Sequence, residues 1–250
     1  MRRREIIGTS VSITDYDEVI GAIEDAIAED GRIWICCAPA STLVFAQDDG
    51  ALASALASAD IVTPDGMGVV HAARLLGESI DDRVYGPDLM AAQLASAGGH
   101  ASFLYGGHDE AALTQLEAAL AAKFPEAGIA GAWSPPHRDL TGDELDTVVE
   151  QINASGAKIV WVGIGSPKQE LWMQSLRGRL DAPVLVGVGA AFDFFSGRVA
   201  QAPRWMQRAS LEWLYRIIRD PIRLGRRYLL TLPRFVVLVL KQRRRERHLR

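Results

Sequence analysis

The chain has 250 residues, enough for one large α/β domain or two small ones. With 48% hydrophobic and 23% charged residues, its composition is that of a globular protein and excludes a disordered one. The formal net charge of -4 hides an asymmetry: residues 198–250 carry 15 Lys/Arg against 3 Asp/Glu, leaving 12 against 28 elsewhere, so an acidic body ends in a basic tail suited to an anionic partner.

Arg2-Arg3-Arg4 has no apolar stretch behind it, which argues against a secretory signal. Asp15-Tyr16-Asp17 has the D-x-D form that can hold a metal, but it sits just ahead of a helical run and reads as helix capping. Short β-branched runs at Ile33–Cys37, Ile61–Thr63, Ser102–Tyr105, Ile129–Gly131, Ile159–Gly163 and Val184–Val188 read as strands. They alternate with helical segments such as Asp109–Phe124 and Asp143–Ser155, the second opened by a capping box at Thr141. The pattern predicts a Rossmann-like, mostly parallel sheet with helices on both faces, followed by a basic helical appendage. The adjacent Cys36 and Cys37 read as core thiols in a reducing compartment. A compositional boundary near Gly197 divides 1–197, an α/β domain, from 198–250, the basic amphipathic tail. In that tail Leu211, Leu214, Tyr215, Ile218 and Ile222 recur at helical spacing, as do Arg216, Arg219, Arg223, Arg226 and Arg227 on another face. Asp220-Pro221 should interrupt the helix. No run reaches the ~20 apolar residues of a spanning helix; the tail is expected to sit on an anionic membrane surface without crossing it.

Four segments could carry chemistry. Ile159–Gly163 leads through Gly165-Ser166-Pro167-Lys168-Gln169 into a helix, either an anion site at free helix N–H groups or a tight strand-to-helix turn. Val186–Gly189 leads to Asp193, which could accept from a ribose or base donor or pair with nearby backbone. Tyr105-Gly106-Gly107 repeats the strand–glycine–helix form, with Asp109 as a cap candidate. Thr63-Pro64-Asp65-Gly66 places a carboxylate at the carboxyl end of a strand, where open α/β sheets bind ligands; it is a candidate general base or a turn aspartate. His71, His100 and His137 lack metal-ligand spacing, so neither a metal site nor a cofactor is predicted.

These segments together resemble the bacterial WecG/TagA/CpsF glycosyltransferases. The resemblance runs through Thr63–Met67, Arg83–Leu89, Tyr105–Gly107, Gly163–Glu170, Gly187–Phe194, Ala202–Arg208 and Leu211–Arg216. It implies an inverting, metal-independent transfer from a UDP-sugar, of N-acetylmannosamine or glucose type, onto a sugar linked to polyprenyl pyrophosphate. It implies Asp65 as the catalytic base and Gln169 and Asp193 as nucleotide contacts. Thr63, Arg83, Gly106, Gly107, Gly163, Gly165 and Lys168 join them as substrate-binding residues, and Arg216, Arg223 and Arg226 as tail arginines closing over the site. Such enzymes build lipid-linked precursors of cell-surface polysaccharide or teichoic acid, which implies a cytoplasmic enzyme held peripherally on the inner face of the plasma membrane. The reading allows a homo-oligomer. One departure stands out: many members carry Thr-x-Asn after the second strand, and here the stretch is Cys37-Ala38-Pro39, followed by Ser41-Thr42, which alters that side of the pocket.

Two other readings compete. A nucleotide-binding dehydrogenase needs a third glycine and a later acidic residue that the sequence lacks. A nucleotide-binding α/β protein with a nucleic-acid-binding tail remains the alternative, but the Phe235–Leu240 apolar block beside Arg243-Arg244-Arg245 favours lipid, so no nucleic-acid partner is expected.

Overall fold

A six-stranded, wholly parallel sheet organises the molecule, seen in a computed structural model that describes residues 1–96, 99–208 and 211–249, without the side chains of residues 204, 208, 223, 224 and 226. An antiparallel hairpin, β1 (Arg2–Ile6) and β2 (Thr9–Ile13), precedes α1 (Tyr16–Ala28). Next come β3 (Ile33–Ala38), α2 (Ala40–Phe45), α3 (Gly50–Ser58) and β4 (Ile61–Pro64). After α4 (Met67–Leu75) and α5 (Gly86–Ala95) the chain forms β5 (Ser102–Gly106), α6 (Glu110–Lys123), β6 (Ile129–Trp133) and α7 (Gly142–Ala154). The body closes with β7 (Ile159–Gly163), α8 (Lys168–Leu176), β8 (Val184–Gly187) and α9 (Ala191–Phe195). The tail holds α10 (Arg204–Arg208), α11 (Glu212–Arg219), a single π-helical turn at Pro221–Gly225 and α12 (Arg226–His248).

The strand order is β4-β3-β8-β7-β5-β6. Registers such as Cys37 opposite Thr63 and Tyr105 opposite Val162 bring the strand ends level along one edge. Each inner strand is apolar on both faces, because helices cover both. Trp34, Cys36, Tyr105, Val160, Val162 and Leu185 enter one core layer; Ile35, Cys37, Leu104, Trp161, Val184 and Val186 enter the other. Both cysteines are buried, and burial pushes both thiols well above their ordinary range.

The expected strands and helices form with ends displaced by a residue or two. Asp109 caps α6 by accepting from the Ala112 N–H at 2.8 Å, and Thr141 and Glu144 form the capping box of α7. Asp15 accepts from the Glu18 N–H at 2.9 Å, so the first aspartate of the D-x-D is spent on capping α1. The tail helix breaks at Asp220, as the Asp-Pro pair requires.

The β1–β2 hairpin has no counterpart among the expected strands. Its turn puts Ile7 at φ +43°, a conformation a β-branched residue rarely adopts. The hairpin is held from the far end of the chain. The Gln242 Oε1 accepts from the Ile7 N–H at 2.7 Å, and its Nε2 donates to the Glu5 carbonyl at 2.8 Å. Helix α12 thus lies back along the body. Phe235 and Val239 pack into the core, Arg227 donates to Ser41 Oγ at 2.9 Å, and Arg234 pairs with Asp48. This fixes the helix phase, and the opposite face presents Leu229, Leu230, Val236, Val237 and Leu240 to solvent; Ile218 and Ile222, earlier in the tail, are exposed as well. Among the described residues, no helix is long and apolar enough to cross a membrane.

Candidate active site

All six parallel strands end at one edge, and Asp65, Gly106–Gly107, Gly163–Gly165 and Gly189 leave it in adjoining loops. This is the edge where open parallel sheets collect ligands, since strand ends and helix N-termini converge there.

Asp65 follows β4 directly and is half-buried. Its backbone N–H donates to Ala38 and Thr63 carbonyls. Thr63 is fully buried, and its hydroxyl donates to the Val84 carbonyl at 3.0 Å, while the Val84 N–H donates back to the Pro64 carbonyl at 3.3 Å. These bonds hold the Arg83–Tyr85 segment against the end of β4 and bring Arg83 to the neighbourhood of Asp65. The hydroxyl of Thr63 is therefore spent inside the fold.

Arg83 does not bond to Asp65 among the described contacts. Its Nη1 donates to Glu212 Oε2 at 2.6 Å, its Nη2 donates to Gln207 Oε1 at 3.1 Å, and its guanidinium lies 4.2 Å from the centre of the Tyr85 ring. The Tyr85 hydroxyl donates to the other Glu212 oxygen at 2.7 Å, and its backbone N–H donates to the Tyr16 hydroxyl at 3.0 Å. Arg216, one turn beyond Glu212 on α11, sits 5.2 Å from the Phe194 ring centre. Burial opposes its charge, but Tyr85, Tyr228 and Glu212 more than offset this and hold it firmly cationic.

The Asp65 carboxyl is pushed up to about 7. Desolvation is the main cause; Arg83 and Arg216 oppose it, while Glu212 and Asp88 add to it. A carboxyl that exchanges its proton near neutrality, beside two cations, is the combination a base needs when charge moves to a leaving group.

The glycines divide by function. A side chain at Gly106 would meet the Gly163 carbonyl oxygen at 2.6 Å, and one at Gly163 would meet the Phe192 ring at 2.7 Å, so these two permit close packing of strand ends. Gly165, at φ +80°, faces open space. The Gly106–Gly107 turn also lies four strand spacings, ~19 Å, from the strand that carries Asp65. Gln169 is buried; its Oε1 accepts from the Gly189 N–H at 3.2 Å and its Nε2 donates to Glu170 at 3.1 Å, so the amide joins the loops after β7 and β8. Lys168 is exposed at the start of α8, and Asp193 is half-buried in α9, next to the Phe194 that faces Arg216. The side chains of Arg223 and Arg226 lie outside the described residues.

Three participants had no signal of their own in the sequence reading: Tyr85, Glu212 and Glu170. All three lie inside segments quoted for the resemblance, yet the contact between Tyr85 and Glu212 spans 127 residues. Glu170 is fully buried, and burial raises its carboxyl despite bonds from Gln169 and Ser166. Among the described residues, no three His, Cys, Asp or Glu side chains converge as a metal site.

The family described as Glycosyl transferase WecG/TagA/CpsF family matches residues 4–249. The chain is 35% identical over 191 residues to the N-acetylglucosaminyldiphosphoundecaprenol N-acetyl-beta-D-mannosaminyltransferase of Bacillus spizizenii, covering 76% of this chain and 71% of that protein. It is 32% identical over 194 residues to the protein of the same description from Bacillus subtilis strain 168, covering 77% and 73%.

Proposed function

The chain belongs to the WecG/TagA/CpsF glycosyltransferase family, and on that premise we propose that it transfers an N-acetylmannosamine-type sugar from UDP to N-acetylglucosamine carried on a polyprenyl diphosphate. The two Bacillus relatives carry that acceptor and that sugar in their descriptions, which supports both choices. The observation that carries the reading is the Asp65 carboxyl, raised to about 7 at the ligand edge of the sheet beside two arginines.

The reaction is a single in-line displacement. The Asp65 carboxylate takes the proton of the acceptor hydroxyl; the freed oxygen attacks the anomeric carbon from the face opposite UDP; the bond from that carbon to the β-phosphate oxygen breaks, and UDP leaves with the electron pair. One displacement inverts the anomeric centre. Charge gathers on the departing diphosphate, and Arg216, with Arg83 nearby, supplies the compensating field without a metal. Gly165 and Gly189 offer open backbone at the β7 and β8 loops for the nucleotide, and Asp193 a carboxylate for its ribose or base. The tail meets the membrane through its row of exposed apolar residues and the exposed Arg244, Arg245 and Arg247. The test is incubation with a panel of UDP-sugars and N-acetylglucosamine-diphospho-polyprenol, following UDP release and a lipid-linked disaccharide. UDP-N-acetylmannosamine should give both; release from another donor alone would replace the sugar assignment, and no transfer from any donor would overturn the reading.

A further inference from the structure

Glu212 opens α11 in the tail, yet it is buried and its two oxygens bind two different residues of the body. One accepts from Arg83 at 2.6 Å and the other from the Tyr85 hydroxyl at 2.7 Å. Gln207 of α10, also from the tail, takes the second Arg83 nitrogen, and the Tyr85 ring lies beneath the guanidinium. Arg83 is therefore held by tail residues, although it belongs to the body and lies in the electrostatic reach of Asp65.

We propose that Glu212 is a positioning residue that draws the Arg83 guanidinium away from Asp65, so that seating of α11 on the body is what leaves the Asp65 carboxylate free to accept the proton of the acceptor hydroxyl. The inference rests on the reading of Asp65 as the base. Its physical basis is competition between two carboxylates for one buried cation. An arginine removed from water pairs with whichever carboxylate is in reach, because leaving it unpaired costs several kcal/mol. With Glu212 in place the direct pair goes to Glu212. With the tail lifted or the charge removed, Asp65 is the other carboxylate whose field acts on Arg83, and a carboxylate paired with arginine becomes a weak base. The groups acting on Asp65 are Arg83, Glu212, Arg216 and Asp88, with Cys37, Tyr16 and Tyr85 also in its field. Arg83 lowers the proton affinity of Asp65 and Glu212 raises it. Losing the Glu212 charge and gaining an Arg83 pair therefore act in the same direction. Arg216 rides on the helix that carries Glu212, so the seated helix both presents a cation for the leaving group and frees the base.

The experiment is a titration of the Asp65 carboxyl by carbon NMR on full-length protein labelled at aspartate carboxyl carbons, with Asp65→Asn assigning the signal. In the wild type the midpoint should lie near neutrality. In Glu212→Gln, which keeps the size and the Tyr85 contact, the proton affinity of Asp65 should fall at least tenfold, and the acidic limb of the kcat/KM profile should move down with it. If Glu212→Gln does not fold, Glu212→Asp withdraws the carboxylate by one methylene, and the affinity should fall at least threefold. A midpoint unmoved in whichever variant folds overturns the proposal; a purely structural Glu212 would change thermal stability and leave the titration alone. Failure of the base reading is seen separately, as near-normal turnover in Asp65→Asn.

Discussion

Replacing Asp65 by Asn should stabilise the protein at neutral pH while removing its turnover. Desolvation, with Glu212 and Asp88 nearby, holds the carboxyl protonated up to about 7 against an ordinary 3.8, although Arg83 and Arg216 pull the other way. Between those values the folded chain keeps a proton that the unfolded chain has released, so the native state loses stability as pH rises from about 4 to about 7. About three decades of proton affinity, at ~1.4 kcal/mol each, set a ceiling of about 4 kcal/mol. Water still reaches half-buried Asp65, which brings the expected gain to about 1–2 kcal/mol. Asparagine is neutral throughout, so the variant should nearly match the wild type at pH 4 and exceed it by that margin at pH 8 in urea unfolding. Transfer should fall by ~10²–10⁴, the usual loss for a general base. A stability difference that is the same at pH 4 and pH 8, or a variant less stable at pH 8, would refute the claim that this carboxylate is ionised at a cost.

Turnover should survive EDTA, because Asp15 is committed to the cap of α1; activity lost to EDTA and restored by manganese or magnesium would return Asp15 and Asp17 to the site. Ile222→Asp, Leu229→Asp and Val236→Asp together should release the protein from anionic liposomes and leave UDP affinity within about threefold, since these side chains are exposed on the outer face of the tail. Unchanged sedimentation would remove this face as the membrane contact. Gly106→Ala should destabilise by about 2–4 kcal/mol, as its methyl would enter the Gly163 carbonyl at φ +142°; a neutral result would show that the strand ends can part.

The parallel sheet was legible because its inner strands are buried on both faces and so read as unbroken apolar runs between glycine turns. The hairpin was not. Strand β1 begins Arg2-Arg3-Arg4, and its two-residue turn, Ile7-Gly8, puts isoleucine in the first position, where asparagine or glycine is favoured. What allows this is Gln242, more than two hundred residues away, satisfying the turn's N–H. No local pattern encodes that contact. The glycine turns posed a different difficulty. Gly106 and Gly165 look alike in sequence, each ending or following a strand ahead of a helix. Only the neighbours separate them: Gly106 is pressed against Gly163, and Gly165 borders empty space.

The basic tail shows the same limit in its charges. Fifteen Lys/Arg in the last 53 residues suit an anionic partner, but the count does not say which of them face outward. The body decides this by fixing helix phase. Phe235, Val239 and Gln242 turn one side of α12 inward, which sends Arg227 to Ser41 and directs Leu229, Val236 and Leu240 outward at the opposite phase. On α11 the buried anchor is an acid. Glu212, bonded to Arg83 and Tyr85, sets the phase that aims Arg216 at Phe194. Of the tail's three acidic residues, this one determines where its arginine points, and so a count of positive charge, however lopsided, could suggest an anion-facing tail but not the inward-facing arginine that the same helix carries into the field of Asp65.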